Sequence, residues 1–187
     1  TGVLLPDGRS LLLRRERAAN VAAMNALAAG DGDRYAEALA FVEQNAPFIF
    51  TLLGSELWSK DVARTVAGRV WKQGAHDTLA FFGPALQTGR AWLQSAFRSE
   101  EVQALLAPWI LHTGLGPESA MSALMAQVIA FSIEAVGLPL VKGGNGRTVD
   151  AFVAIVEQAG GHFETGADVA EVLVDNGRAR GVRTADG

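Results

Sequence analysis

Between Ala18 and about Val136 the chain has no stretch of alternating apolar and polar residues, and its apolar residues recur at intervals of three and four. That period belongs to helices with one buried face, so a helical layer must form most of the fold. Asp31 or Asp33 can cap a helix whose face holds Tyr35, Leu39, Val42 and Ala46, and Pro47 is expected to stop it, because the residue before proline avoids the α region. A further helix then carries Phe48, Leu52 and Leu53, and others follow over residues 60–71 and 88–97, with Gly74, Gly83, Pro84 and Gly89 as breaks. Ser99-Glu100-Glu101 opens a helix with acidic residues where the macrodipole favours them, and Pro108 should bend it. Pro117 suits a first helical position, and the helix it begins runs to Gly137. The aromatic residues spread through this layer, among them Trp58, Trp71, Phe81, Trp92 and Trp109, read first as core. Met121 and Met125 read as adaptable filling on one helix face.

Strand signals flank this layer. Val3-Leu4-Leu5 and Ser10 to Leu13, separated by Pro6-Asp7-Gly8-Arg9, form a hairpin. It is either a plain surface hairpin or one wall of a ligand site. Toward the other end, Leu140-Val141-Lys142 reads as a short strand that enters the turn Gly143-Gly144-Asn145-Gly146. The helix after it has Val149, Phe152, Val153, Ile155 and Val156 on a broad apolar face, and Gly160-Gly161 closes it with a left-handed cap. His162 to Thr165 is a short strand. Val169, Val172 and Val174 lie on another, which turns through Asn176-Gly177, the dipeptide of a type I′ hairpin, into residues 179–184. The expected fold class is α+β: a mainly helical middle with short strands at both ends forming one small mixed or antiparallel sheet.

Composition narrows the function. Sixteen basic and 20 acidic residues give a net charge of −4 with the basic residues scattered, which excludes a nucleic-acid footprint. With no cysteine there are no disulfides, zinc-thiolate sites or thiol nucleophiles, and a reducing, cytoplasmic compartment fits. His76, His112 and His162 stand far apart in no metal spacing, Ser55, Ser119 and Ser122 lack a nucleophile's setting, and no carboxylate pair can be assigned to acid/base work. No residue is a catalytic candidate. The longest uncharged run, Ser119 to Ile133, is closed by Glu134 and is shorter than the roughly 20 apolar residues a bilayer span needs. The turn Gly143-Gly144-Asn145-Gly146 is either a plain strand-to-helix turn or one that brings free N–H groups and a positive dipole end near an anion or flat ring above it.

The order Gly143-Gly144-x-Gly146, helix, Ala159-Gly160-Gly161, strand, Gly166-Ala167-x-Val169, then Asn176-Gly177-Arg178-x-x-Gly181-Val182 and Asp186-Gly187 resembles an internal segment of phytoene desaturase-like flavoproteins, within the amine-oxidase-like superfamily. The opening Leu5-Pro6-Asp7-Gly8-Arg9-Ser10 and the helical insertion after it are similar to the start of that family's substrate domain. The resemblance implies an FAD-dependent oxidoreductase in which flavin takes a hydride from a largely apolar substrate. It divides the chain into residues 1–141, part of the substrate domain, and 142–187, a connector to the FAD-binding domain. It also assigns cofactor contacts to Gly143 and Gly144 near the flavin and to Val169 at the adenine edge. The family's dinucleotide fingerprint Gly-x-Gly-x-x-Gly is absent, and Lys142 stands where the family more often has a small or apolar residue. The chain is therefore expected to be an internal piece, ending on the bare turn Asp186-Gly187, that binds no FAD and is inactive alone. The alternative is a non-catalytic helical module that binds an apolar ligand or protein partner. Peripheral membrane contact and a homodimer are the further associations expected.

Overall fold

The computed structural model describes residues 1–56 and 58–186, and within it the chain divides into two compact units, Thr1–Leu138 and Pro139–Gly187.

The first unit opens on a hairpin of β1 (Gly2–Leu4) and β2 (Ser10–Leu12), paired antiparallel with Val3 opposite Leu11. Six helices follow: α1 (Arg17–Leu27), α2 (Asp31–Gly54), α3 (Lys60–Ala85), α4 (Gly89–Ala96), α5 (Glu100–His112) and α6 (Ser122–Val136). α6 is the axis of the unit, because its two sides serve two cores. Ala123, Ala126, Ala130 and Ile133 face a cluster with Leu11, Leu13, Met24, Tyr35, Leu39, Phe97, Val102 and Leu106. Leu124 and Val128 face a second cluster with Val42, Phe48, Ile49, Phe81 and Ala85. Small residues on α6 let its neighbours approach closely, and Gly32 does the same for α1 against α2. A Cβ at Gly32 would lie 2.1 Å from the carbonyl oxygen of Val21, a backbone atom that cannot swing aside.

Several helix limits differ from those the sequence suggests. α2 continues through Pro47, joining the two helices expected on either side of it. An interior proline costs a helix about 3 kcal/mol, and here Phe48 and Ile49 in the following turn are buried, so packing offsets the lost hydrogen bond. α3 ends at Ala85, at the break expected from Gly83 and Pro84, and it kinks at another expected break, Gly74 (φ 86°, ψ 158°). α6 begins five residues after Pro117, and Met121 precedes it in a left-handed conformation (φ 68°), so Met121 and Met125 do not share a helix face. The aromatic core is also smaller than expected. Phe48, Phe81, Trp92 and Phe97 are buried, whereas Trp58 and Trp71 are almost wholly exposed.

The opening hairpin is anchored rather than idle. Leu11 and Leu13 are buried in the first core, and Arg9 spans from Asp7 to Glu100 and Glu101 on α5. Asp31 serves the approach to a helix that is not its own. Its carboxylate accepts the backbone N–H groups of Arg98 and Ser99 and the Ser99 hydroxyl, so it holds the start of α5.

The second unit contains α7 (Gly146–Gln158) and a hairpin of β3 (Val169–Asp175) and β4 (Arg178–Thr184). Its turn is the expected one, with Asn176 (φ 48°) and Gly177 (φ 74°) both in the left-handed region. Gly160 (φ 84°) caps α7, with Gly161 N–H bonded to the Val156 carbonyl at 2.9 Å. Leu140-Val141-Lys142 and His162 to Thr165 are not strands, since no neighbouring strand pairs with either among the described residues. The expected α+β class holds, with the strands in two separate antiparallel pairs rather than one sheet. The terminal turn at Asp186-Gly187 reaches Gly187, which lies outside the described residues.

Candidate functional site

The glycine turn at the head of α7 has the backbone that the sequence suggests. Gly143 (φ 90°) and Gly144 (φ 88°) both occupy the region that side chains rarely enter, and nothing lies within 4 Å of the place a Cβ would take at Gly144. Gly144 N–H bonds to the Val141 carbonyl at 2.9 Å and Arg147 N–H to the Gly144 carbonyl at 3.1 Å. The amides of Gly143, Asn145 and Gly146 make no hydrogen bond among the described residues. The helix start thus offers three free donors and its positive dipole end, a set that suits an oxyanion or the polar edge of a flat ring. Val169, the third residue assigned by resemblance, opens β3 opposite Thr184 and is half exposed. The structure brings Gly143 and Gly144 together, and no hydrogen bond among the described residues links Val169 to them. No side chain of α7 is buried, and Val149, Phe152 and Ile155 keep most of their surface in solvent.

Unit 1 holds two apolar-lined hollows. A wholly apolar cavity of about 50 Å³ lies among Ile49, Leu52 and Leu53 of α2, Phe81, Phe82 and Ala85 of α3, and Leu86, Met121 and Leu124. With no polar lining it has nothing to hold a water and suits a hydrocarbon group. A wider, open groove of about 430 Å³ runs between α4 and α5, where Leu93, Ala107 and Leu111 sit beside Arg90, Gln94 and Gln103. Arg90 is paired with Glu118.

Sequence reasoning missed a buried polar cluster. Glu134, near the end of α6, accepts from the Tyr35 hydroxyl at 2.8 Å, from Asn20 Nδ2 at 2.7 Å and from Arg17 Nε at 2.8 Å. Arg17 also pairs with Glu43, and Asn20 closes the end of the hairpin by bonding both the N–H and the carbonyl of Arg14. The pairing with Glu134 holds the Arg17 guanidinium charged, above its ordinary range. Burial first, and then the neighbouring Glu134 charge, push the Tyr35 hydroxyl well above the usual tyrosine range. A tyrosine against a carboxylate can do acid/base chemistry, but this one has no exposed surface. The cluster holds α1, α2 and α6 together. Its only signal in the sequence is Glu134 itself, the charge that closes the long uncharged run.

Among the described residues no group of three or more His, Asp or Glu is placed to hold a metal ion, and no helix is long and apolar enough to cross a membrane.

Comparison with known proteins yields one informative match. A hydroxyneurosporene desaturase of Rubrivivax gelatinosus is 34% identical to the chain over 95 residues, a match covering 51% of this chain and 18% of that protein. No protein-family model matches the chain. No solved structure matches it either. The chain is a distant relative of a desaturase, and the match spans less than a fifth of that relative's length.

Proposed function

We propose that this chain is part of a phytoene desaturase-like, FAD-dependent oxidoreductase that acts on a largely apolar substrate. The observation that carries this reading is the 34% identity to hydroxyneurosporene desaturase, a match reaching across half of the chain. Bound flavin would supply the hydride acceptor for an unactivated C–H bond. The residues of the chain fit the margin of such a group. The amides at Gly143, Asn145 and Gly146 make no hydrogen bond among the described residues, and they can hold a polar ring edge. A cradle for the pyrophosphate is not in this sequence. The proposed division of labour gives residues 1–141 to the substrate side and 142–187 to the cofactor side, with Gly143, Gly144 and Val169 as cofactor contacts. In unit 1 the apolar cavity offers a surface to hydrocarbon, and its lining has no group that moves a proton.

The test is the full-length product of the gene. It should purify yellow, with flavin absorbance released on denaturation, while the isolated chain is colourless. A full-length protein that is colourless and takes up no added FAD would sink the proposal.

The second reading is a non-catalytic helical module that binds an apolar ligand or partner, and the cavity in unit 1 favours it. The two are separated by the coding sequence on either side of the chain, where the first requires a strand followed by Gly-x-Gly-x-x-Gly. A cytoplasmic setting with peripheral membrane contact, and a homodimer, belong to the same proposal. The exposed Trp58 and Trp71 support the membrane contact, and recovery of the chain in the soluble fraction after liposome flotation would count against it.

A further inference from the structure

Among the described residues every buried polar side chain of unit 1 makes a hydrogen bond, with one exception. Gln127, on α6, is 6% exposed and stands between the core residues Ala126 and Val128, and its carboxamide has no partner among the described residues. Its two amide atoms are nonetheless not sealed in. Among the described residues only Arg69 Nε is both sealed and unpartnered. The Gln127 carboxamide opens instead on a hollow of about 410 Å³ bounded by α2, α4, α6 and the end of α3.

Phe41, Pro84 and Trp92 give this hollow an apolar side, and its two rings are held from behind. Phe41 stacks on Phe81 at 5.5 Å, and Trp92 stands edge-on to Phe97 at 5.3 Å. Gln87, partly buried on the same lining, is a second carboxamide whose side chain has no partner among the described residues. Arg34 and Glu37 also border the hollow, but they neutralise each other at 2.9 Å. The lining therefore offers amides and apolar surface without net charge. A buried amide left unpaired lowers stability, so packing alone gives no reason for one here. A carboxamide presents a C=O and an N–H side by side, and its complement is a group with N–H and C=O on one edge. An amide in an open chain is trans and shows these groups on opposite sides, whereas a ring holds them cis.

We propose that the hollow between α2, α4 and α6 is a binding site for an uncharged cyclic amide, in which Gln127 pairs with the ligand's N–H and C=O while Phe41, Pro84 and Trp92 take the apolar part of its ring. Water is the competitor that the ligand displaces from the Gln127 amide. This inference stands apart from the flavoprotein reading, since it concerns unit 1 alone.

The chain itself is the material for the test, and the probes are carbostyril, a benzo-fused lactam, its N-methyl derivative, and quinoline. Carbostyril should shift the side-chain NH₂ resonances of Gln127, assigned by triple-resonance spectroscopy. It should bind about tenfold more tightly than N-methylcarbostyril, which keeps the ring and the carbonyl but lacks the N–H. Gln127→Leu, which replaces the amide by an apolar group of similar size, should weaken carbostyril about tenfold and leave quinoline unchanged. Unmoved Gln127 NH₂ resonances at saturating carbostyril overturn the site and leave a hollow that holds only water. Equal binding of carbostyril and its N-methyl derivative overturns the amide pairing, and so does unchanged carbostyril affinity in Gln127→Leu. The resonance shift is read on the unaltered chain, so a poorly folding Gln127→Leu does not remove the test.

Discussion

The two units use the same local devices and differ in what the devices serve. In Thr1–Leu138 every helix contributes buried side chains, and the buried carboxylates of Asp31, Glu101 and Glu134 are met by partners, as Glu134 is by Tyr35, Asn20 and Arg17. In Pro139–Gly187, α7 has a well-formed cap and an amphipathic sequence, and the β3–β4 hairpin has its preferred turn, yet α7 buries no side chain. Local propensity can write a helix and a hairpin without a core, but it gives them little cooperative stability, since a short helix in water is marginal alone. Unit 1 should therefore unfold as one body, and unit 2 should contribute little to that transition. All four tryptophans and the single tyrosine lie in unit 1, so optical probes report on that unit selectively.

The largest effect expected is from Glu134→Ala. It leaves the Tyr35 hydroxyl and Asn20 Nδ2 buried without their acceptor and Arg17 without its buried partner, a kind of loss that costs about 3–5 kcal/mol. Denaturant unfolding followed by tryptophan fluorescence should show it, and a loss below about 1 kcal/mol would mean that the cluster does not hold α1, α2 and α6 together. Asp31→Ala comes next, at about 2–3 kcal/mol, because it strips the start of α5 of the carboxylate that bonds Arg98 and Ser99. If Asp31 served only its own helix, the loss would stay under about 1 kcal/mol.

Tyr35→Phe should cost about 2 kcal/mol, the worth of one hydrogen bond to a charged acceptor. The same residue predicts a pH dependence. Its hydroxyl titrates higher in the fold than the ordinary value of 10.0, so its contribution is complete below about pH 10 and is lost as pH rises toward the folded value. Tyrosinate absorbance should thus appear together with unfolding rather than before it, and Tyr35→Phe should flatten the alkaline loss of stability. Tyrosinate forming in the folded chain near pH 10 would contradict the buried geometry.

Elements with a local code could be read from the sequence. The opening hairpin, the kink at Gly74, the type I′ turn at Asn176-Gly177 and the cap at Gly160 each depend on a few adjacent residues whose backbone preferences leave little choice. Failures occurred where distant residues decide. Pro47 does not end its helix, because burial in the following turn outweighs a lost hydrogen bond, and spacing alone does not contain that burial. Asp31 looks like a cap for the helix it begins, and only the fold shows that it serves residues 67 and 68 positions away. The candidate site was legible as a backbone shape at Gly143 and Gly144. The Arg17–Asn20–Tyr35–Glu134 cluster was not, since its members come from three helices and have no spacing to recognise.

The smallest effect is the one that bears most directly on the contrast between the units. Ile155 and Phe152 lie on the apolar face of α7, where a serine in a packed interface would cost several kcal/mol, comparable with other large-to-small core changes of about 2–5 kcal/mol. Neither is buried, so Ile155→Ser and Phe152→Ser should each change the tryptophan-reported stability by less than about 0.5 kcal/mol, as exposed substitutions do. Helicity at α7 should also be nearly unchanged, because Schellman bonding at Gly160 and Gly161 is backbone-only. The same substitutions in the longer flavoprotein proposed above ask a different question. A cost above about 2 kcal/mol there, with none in the isolated chain, would mean that another part of the polypeptide covers this face, as a connector to a cofactor domain requires. Equal and negligible costs in both would leave α7 a solvent-facing helix and weaken the assignment of residues 142–187 to the cofactor side.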